Sequence, residues 1–141
     1  MNKFFSPSPI WQTKGLPLIR ILLGIFMIYH GWESFDAAKI KEYASWVPTK
    51  TFPAPLLLSY IGKVSELLGG ILLMLGLFTR LGVLMIILPM IYVAFFIGHG
   101  KIWYEDQYPF LFILLSLVFF FSGPGIWSVD NARKNKQAST S

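Results

Sequence analysis

The chain has no cysteine, so disulfide staples, thiol exchange, iron–sulfur ligation and thiolate metal sites are excluded within it. Any redox role must draw on a cofactor or a partner. Charge is scarce as well: Asp, Glu, Lys and Arg make up 13% of the residues, well below the roughly 25% of soluble domains. No phosphate-cradling glycine loop, catalytic triad or pair of metal-binding carboxylates occurs, so no metal site is read from the sequence. The net charge of +5 is not gathered with stacking aromatics on any polar segment, which argues against a nucleic-acid partner.

What is present is apolar. The hydrophobic fraction is 55%, and these residues fall in blocks rather than stripes, so helices built from them are apolar all round and belong in lipid. Four blocks stand out, at about 16–35, 55–78, 81–98 and 108–122. Each approaches the ~20 residues that span ~30 Å of hydrocarbon, the last being short. The fold class that follows is an all-α membrane protein, a bundle of four transmembrane helices over 16–122. A leader at 1–15, an outer loop at 36–54 and a tail at 123–141 complete it. The first block also begins as a secretory signal does, but it holds Arg20 and lacks a small-x-small cleavage site, and it is read as retained.

Lys3, Lys14, Arg20, Arg80, Arg133, Lys134 and Lys136 fall on one side of this topology, and Lys39, Lys41, Lys50 and Lys101 on the other, beside Glu33, Asp36, Glu42, Glu105 and Asp106. The positive-inside rule then places both termini in the cytoplasm of a bacterial inner membrane. Trp32, Tyr43, Trp46, Trp103, Tyr104 and Tyr108 gather at the outer face, and Trp11 and Trp127 at the inner one, as aromatic belts do.

Within the outer loop Ile40, Tyr43, Ala44 and Val47 recur at helical spacing. They fit a short amphipathic helix on the outer surface, and an ordinary loop accounts for them equally well. Thr79-Arg80 alone joins the second and third blocks, which makes them an antiparallel hairpin. Pro89 leaves the carbonyl of Met85 without its helical donor and predicts a kink unless a neighbour satisfies it. Glu105-Asp106 reads as an acidic cap before the fourth helix.

An ionisable group inside a membrane costs about 2.5–3.5 kcal/mol on insertion scales, so each one present needs compensation or a function. Arg20, His30, Lys63 and Glu66 are such groups, with His99 at an edge. Glu66 lies about ten residues, ~15 Å, from the outer end of its helix, near the midplane. It shares a face with Gly62, Gly69, Leu73 and Gly76, while Arg20, Gly24, Met27, Gly31 and Ser34 form a similar stripe on the first helix. These small-residue stripes let helices approach closely. His30 and Lys63 fall at similar depth, within a turn or two of Glu66.

One reading of His30, Lys63, Glu66 and Arg20 is a polar pocket for a quinone-like or other small amphipathic ligand, with Glu66 as a proton acceptor. The other is structural: Lys63 and Glu66, three apart, neutralise each other while Arg20 snorkels to phosphate. His30 and His99 meet the minimum for haem ligation, but two histidines are a weak signal for haem. The terminal Gly123-Pro-Gly125 stops the fourth helix and Trp127 anchors it. Asp130 emerges on the same side as Arg80, and a structural pair Arg80–Asp130 is predicted.

Four motifs in order carry a family likeness: His30-Gly31-Trp32; Pro53-Ala-Pro55 with Glu66-Leu-Leu-Gly-Gly70; Gly76-Leu-Phe-Thr-Arg80; and Gly123-Pro-Gly-Ile-Trp-Ser-Val-Asp130. From Leu16 to Asp130 the chain resembles the DoxX family of small bacterial membrane proteins, departing from its pattern in having Ser34 after the His-Gly step. The resemblance implies a four-helix inner-membrane protein associated with redox chemistry, since relatives are named as subunits of thiosulfate:quinone oxidoreductase or as partners in oxidant-defence complexes. It does not make every member an enzyme. The partners implied are the bilayer, an oxidoreductase or other membrane protein, or a second copy of the chain. The rival expectation is a scaffold, chaperone or cargo-type protein acting through protein partners. A transporter is disfavoured, because four helices are few for alternating access.

Overall fold

The computed structural model describes residues 11–48 and 51–139. Lys3 and Lys50, counted above for topology, lie outside these residues. Among the described residues the regular structure is wholly helical: α1 (Gln12–Gly31) running into a 3₁₀ turn (Trp32–Phe35), α2 (Ala37–Trp46), α3 (Pro55–Leu75), α4 (Thr79–Tyr92) continued by a π turn (Val93–Ile97), α5 (Gln107–Ser122) and α6 (Val129–Ala138). Three of these stretches, Gln12–Phe35, Pro55–Leu75 and Thr79–Ile97, are long and apolar enough to cross a membrane; α5 is apolar but has 16 residues.

The helices run up and down, with α1 against α3, α3 against α4, and α4 against α5. The stripe read on the first helix is the buried one: Arg20, Gly24, Met27, Gly31 and Ser34 all face inward. At Gly24 an added Cβ would lie 2.6 Å from the Met74 backbone nitrogen, and at Gly70 one would lie 2.7 Å from that of Ile28. These two glycines make α1 and α3 touch backbone to backbone. The other stripe turns elsewhere. A Cβ at Gly69 would lie 2.8 Å from the Gly82 carbonyl oxygen, so Gly69 is the contact of α3 with α4. Neighbouring glycines on α3 thus serve two different partners. Leu23, Met27, Leu73, Val83, Ile86 and Phe119 fill the core between them.

Many large apolar side chains, among them Phe26, Ile61, Leu88 and Phe121, point outward. Water would penalise such a surface at about 25 cal/mol per Å², and hydrocarbon does not.

At the α3–α4 connection the sequence reading needs correction. The turn is Gly76–Phe78, and Thr79 and Arg80 already belong to α4. Gly76 takes the left-handed conformation, φ 64°, and so does Phe78, φ 45°. Glycine adopts this without penalty, but a bulky residue does so at a cost of about 1–3 kcal/mol and needs its surroundings to hold it. The tail does this. Asp130 accepts hydrogen bonds from the Phe78 amide (3.0 Å), the Thr79 amide (3.2 Å) and the Thr79 hydroxyl (3.3 Å), and its own amide donates to the Gly76 carbonyl at 3.1 Å.

Asp130 therefore caps α4, and no Arg80–Asp130 ion pair exists among the described residues. The first amides of a helix have no internal acceptor, and a carboxylate is drawn to them as strongly as to an exposed cation. Arg80 lies instead over the Phe120 ring, 6.0 Å from its centroid.

The outer loop does contain an amphipathic helix. Asp36 caps α2, accepting from the Ala38 and Lys39 amides, and Ile40 packs inward at 0% exposure. Asp106 does not cap α5. Its carboxylate takes the amides of His99 (3.1 Å) and Lys101 (2.9 Å) and so organises the 98–106 loop.

Candidate functional site

At the end of the bundle that carries α2, the helices part around a cavity of about 490 Å³. Pro89 and the π turn after Tyr92 both interrupt the regular α4 ladder here, and such interruptions are frequent at functional sites. The carbonyl that Pro89 frees, that of Met85, accepts a 2.7 Å hydrogen bond from the Ser65 hydroxyl of α3. The wall is mostly apolar and aromatic, with Tyr43 and Trp46 from α2, Tyr92 from α4, and Tyr108 and Phe112 from α5.

Three of the predicted polar residues meet in this wall: His30 from α1, and Lys63 and Glu66 one turn apart on α3. Glu66 is 3% exposed. The Lys63 ammonium lies 3.0 Å from Glu66 Oε2 and 3.2 Å from Glu33 Oε2, and 4.8 Å from the centre of the Tyr43 ring. Glu33 in turn accepts from Lys39 Nζ and from the Tyr43 hydroxyl, each at 2.6 Å. An alternating string, Lys39, Glu33, Lys63, Glu66, thus runs from an exposed lysine to a buried carboxylate.

Tyr43 belongs to the surface helix, and its phenol is pushed well above its ordinary range, first by burial and then by the hydrogen bond it donates to Glu33. It stays a donor at physiological pH. Lys39 is shifted upward too, by its hydrogen bond to Glu33.

Two members of this arrangement were missed in the sequence. Glu33 was grouped with the loop acids, although it sits one helical turn after His30. Tyr43 was read as an interface aromatic. Tyr92 is the other addition: its hydroxyl is buried with no partner among the described residues, and it lines the cavity. A buried hydroxyl without a partner costs about 1–3 kcal/mol, so a ligand or water that supplies one is favoured there.

Arg20 is not part of this cavity, which corrects its grouping with His30, Lys63 and Glu66. It sits at 0% exposure near the opposite end, where its guanidinium donates to the carbonyls of Pro124 and Trp127. The Gly123-Pro-Gly125 turn, with φ 76° and 75° at its glycines, presents the first of these carbonyls, and Trp127 follows two residues later. Asp130 supplies the nearby negative charge. Arg20 thus does not reach out to lipid phosphate; it ties the first helix to the last turn.

The two histidines are also separated in role. His30 packs edge-on against Phe112, ring centres 6.0 Å apart, whereas His99 is exposed in the loop before α5 and does not line the cavity. Among the described residues no group of three or more His, Cys, Asp or Glu is placed to hold a metal ion.

Comparison with known proteins agrees with this architecture. The DoxX family model matches residues 15–100, which includes most of α1, all of α2 to α4 and most of the cavity wall. An uncharacterized protein of Haemophilus influenzae is 32% identical over 123 residues, covering 82% of this chain and 88% of its own. No solved structure matches the chain. With the likeness covering most of the sequence and three long apolar helices in the fold, the chain is a membrane protein and belongs to the DoxX family.

Proposed function

We propose that the protein is an accessory membrane subunit of a redox system, and that its cavity takes a lipid-soluble ring compound of quinone type. The observation that carries this is the cavity itself: about 490 Å³ of apolar and aromatic wall with Glu66, Lys63 and His30 set into it. Ligand sites have this character, apolar for affinity with a few polar groups for orientation. Ile61 and Leu88 belong to its wall and also face outward, so the mouth opens toward hydrocarbon, the phase from which such a compound arrives.

The topology we infer has four crossings, α5 being the fourth, with both termini in the cytoplasm of a bacterial inner membrane. Sixteen helical residues rise about 24 Å, which suffices with interfacial residues at each end. Lys14, Arg80, Arg133, Lys134 and Lys136 lie toward the α6 end, and their excess supports placing that end inside. Because the chain lacks cysteine, single cysteines at Lys41 and Asn135 give clean labels: an impermeant maleimide added to intact cells is expected to reach the first and not the second.

Gly62 provides the test of the ligand. It lines the cavity, and a Cβ added there meets nothing within 4 Å, so Gly62→Leu fills the space without forcing the backbone. A quinone analogue that quenches Trp46 fluorescence in purified wild type is expected to lose about tenfold or more in affinity to Gly62→Leu, and likewise to Glu66→Gln. Equal affinity in all three proteins overturns the reading. The rival scaffold reading draws on the exposed Trp46, Trp103 and Tyr104 at the α2 end. It predicts a protein co-purifying through that face and no loss of it in Gly62→Leu.

A further inference from the structure

We propose that the string from Lys39 to Glu66 is a proton relay, which lets the cavity exchange protons with the aqueous phase on the α2 side and not with the other side. The proposal concerns the site described above but needs no ligand in it, so it stands or falls separately from the quinone reading.

The geometry gives continuity in one direction. Lys39 lies in α2 with half its side chain in water, 2.6 Å from Glu33 Oε1. From the other oxygen of Glu33 to Lys63 is 3.2 Å, and from Lys63 to Glu66 is 3.0 Å. The Tyr43 hydroxyl, 2.6 Å from Glu33 Oε2, holds the middle carboxylate in place. The first and last steps are hydrogen bonds, and the middle one is an ion pair at 3.2 Å that a small shift of the Lys63 ammonium closes.

In the opposite direction the described residues form no such string. Below Glu66 the inward-facing residues of α3 are Gly69, Gly70 and Leu73, packed against Met27, Leu23 and Ile86. Arg20, which lies against Gly76 ten residues further along α3, is about 15 Å away and is occupied by two backbone carbonyls. The other titratable groups around the cavity are His30 on α1, Tyr92 on α4 and Tyr108 on α5, all at the α2 end.

The charges balance through the transfer. Lys39 gives a proton to Glu33 and regains one from water; Lys63 gives one of its own to Glu66; Glu33 then passes its proton to Lys63. At the end Glu33 is a carboxylate, Lys63 an ammonium and Glu66 a neutral acid, so one proton has moved from the surface to the cavity and only Glu66 has changed. The reverse sequence delivers a proton outward.

The test uses the full chain in sealed vesicles, inserted in one orientation as judged by protease access to the basic α6. The infrared carboxyl band that is lost in Glu66→Gln reports the Glu66 proton. A pH step on the α2 side is expected to change this band in wild type, while the same step on the α6 side leaves it unchanged. In Glu33→Gln and Lys63→Met the response is expected to slow about a hundredfold, the scale of a positioned proton-transfer group. Glu33→Asp keeps a titrating carboxylate and should respond faster than Glu33→Gln, whereas Lys63→Arg keeps the charge but holds its proton and should be as slow as Lys63→Met; these two serve if the neutral variants do not fold. Equal rates in wild type and in the Glu33 and Lys63 variants, an equal response from the α6 side, or no Glu66-dependent band at all, overturns the relay.

Discussion

Ser65 donates its hydroxyl to the carbonyl of Met85 at 2.7 Å, and Met85 is the residue whose helical donor Pro89 removes. A hydroxyl on one helix thus repairs the break that a proline makes in the next. Ser65→Ala leaves that carbonyl bare in an apolar setting and is expected to destabilise the protein by about 1 kcal/mol. In a Pro89→Ala background, where the helix supplies its own amide, the same substitution should cost little. Equal costs in the two backgrounds, measured by denaturation in detergent, would show that the Ser65 bond has another role.

Asp130 and Arg80 give opposite expectations. Asp130→Ala removes the acceptor for the Phe78 and Thr79 amides and the Thr79 hydroxyl, and it is expected to cost about 1–2 kcal/mol, as lost helix caps do. Arg80→Ala gives up a single approach to the Phe120 ring, worth about 0.5 kcal/mol. Comparable losses from both in thermal melts would restore the ion pair that the charges alone suggested.

The glycines separate in the same manner. Gly24→Ala drives a methyl to 2.6 Å from the Met74 nitrogen, which is backbone and cannot rotate away, whereas Gly62→Ala meets nothing. Overpacking of this kind costs about 1–3 kcal/mol or more. Gly24→Ala is expected to lower the yield of folded protein, with Gly62→Ala unchanged or slightly more stable through its better helix propensity. A stable, monodisperse Gly24→Ala protein would mean that α1 and α3 do not meet there.

Alkaline pH should loosen the surface helix. Tyr43 and Lys39 both titrate higher in the folded protein than in the unfolded chain. A raised value means that the folded state holds its proton longer, so the stability it brings is present below the unfolded value and is lost as pH climbs past the folded one. For both groups that window lies above about pH 10. Tyr43→Phe should flatten the decline, measured as melting temperature against pH; an unchanged slope would separate Tyr43 from Glu33.

Much of this was legible in the residues, for physical reasons. Glycines and an arginine at helical spacing in an apolar block have few explanations besides a packed face, and the Arg20 to Ser34 stripe is that face. His30, Lys63 and Glu66 share a depth because antiparallel helices fix it. Glu33 was not legible, because its place depends on a 3₁₀ turn carrying the first helix past its last glycine and on α2 folding back over it. The Arg80–Asp130 pair failed because opposite charges are easy to see in a sequence and unpaired amides at a helix start are not. Gly69 and Gly70 are adjacent in the chain, and a rotation of about 100° per residue gives them different partners.

The Arg20 contacts have a consequence for how the protein is made. Its two acceptors lie 104 and 107 residues later in the chain. At about 5–20 residues per second a ribosome needs roughly 5 to 20 seconds to supply them. For that interval the first helix carries a cation with no internal partner, so it cannot settle as deeply as its other residues would allow. Chains cut short before Pro124 never acquire either acceptor, so the buried place of Arg20 exists only in the finished protein.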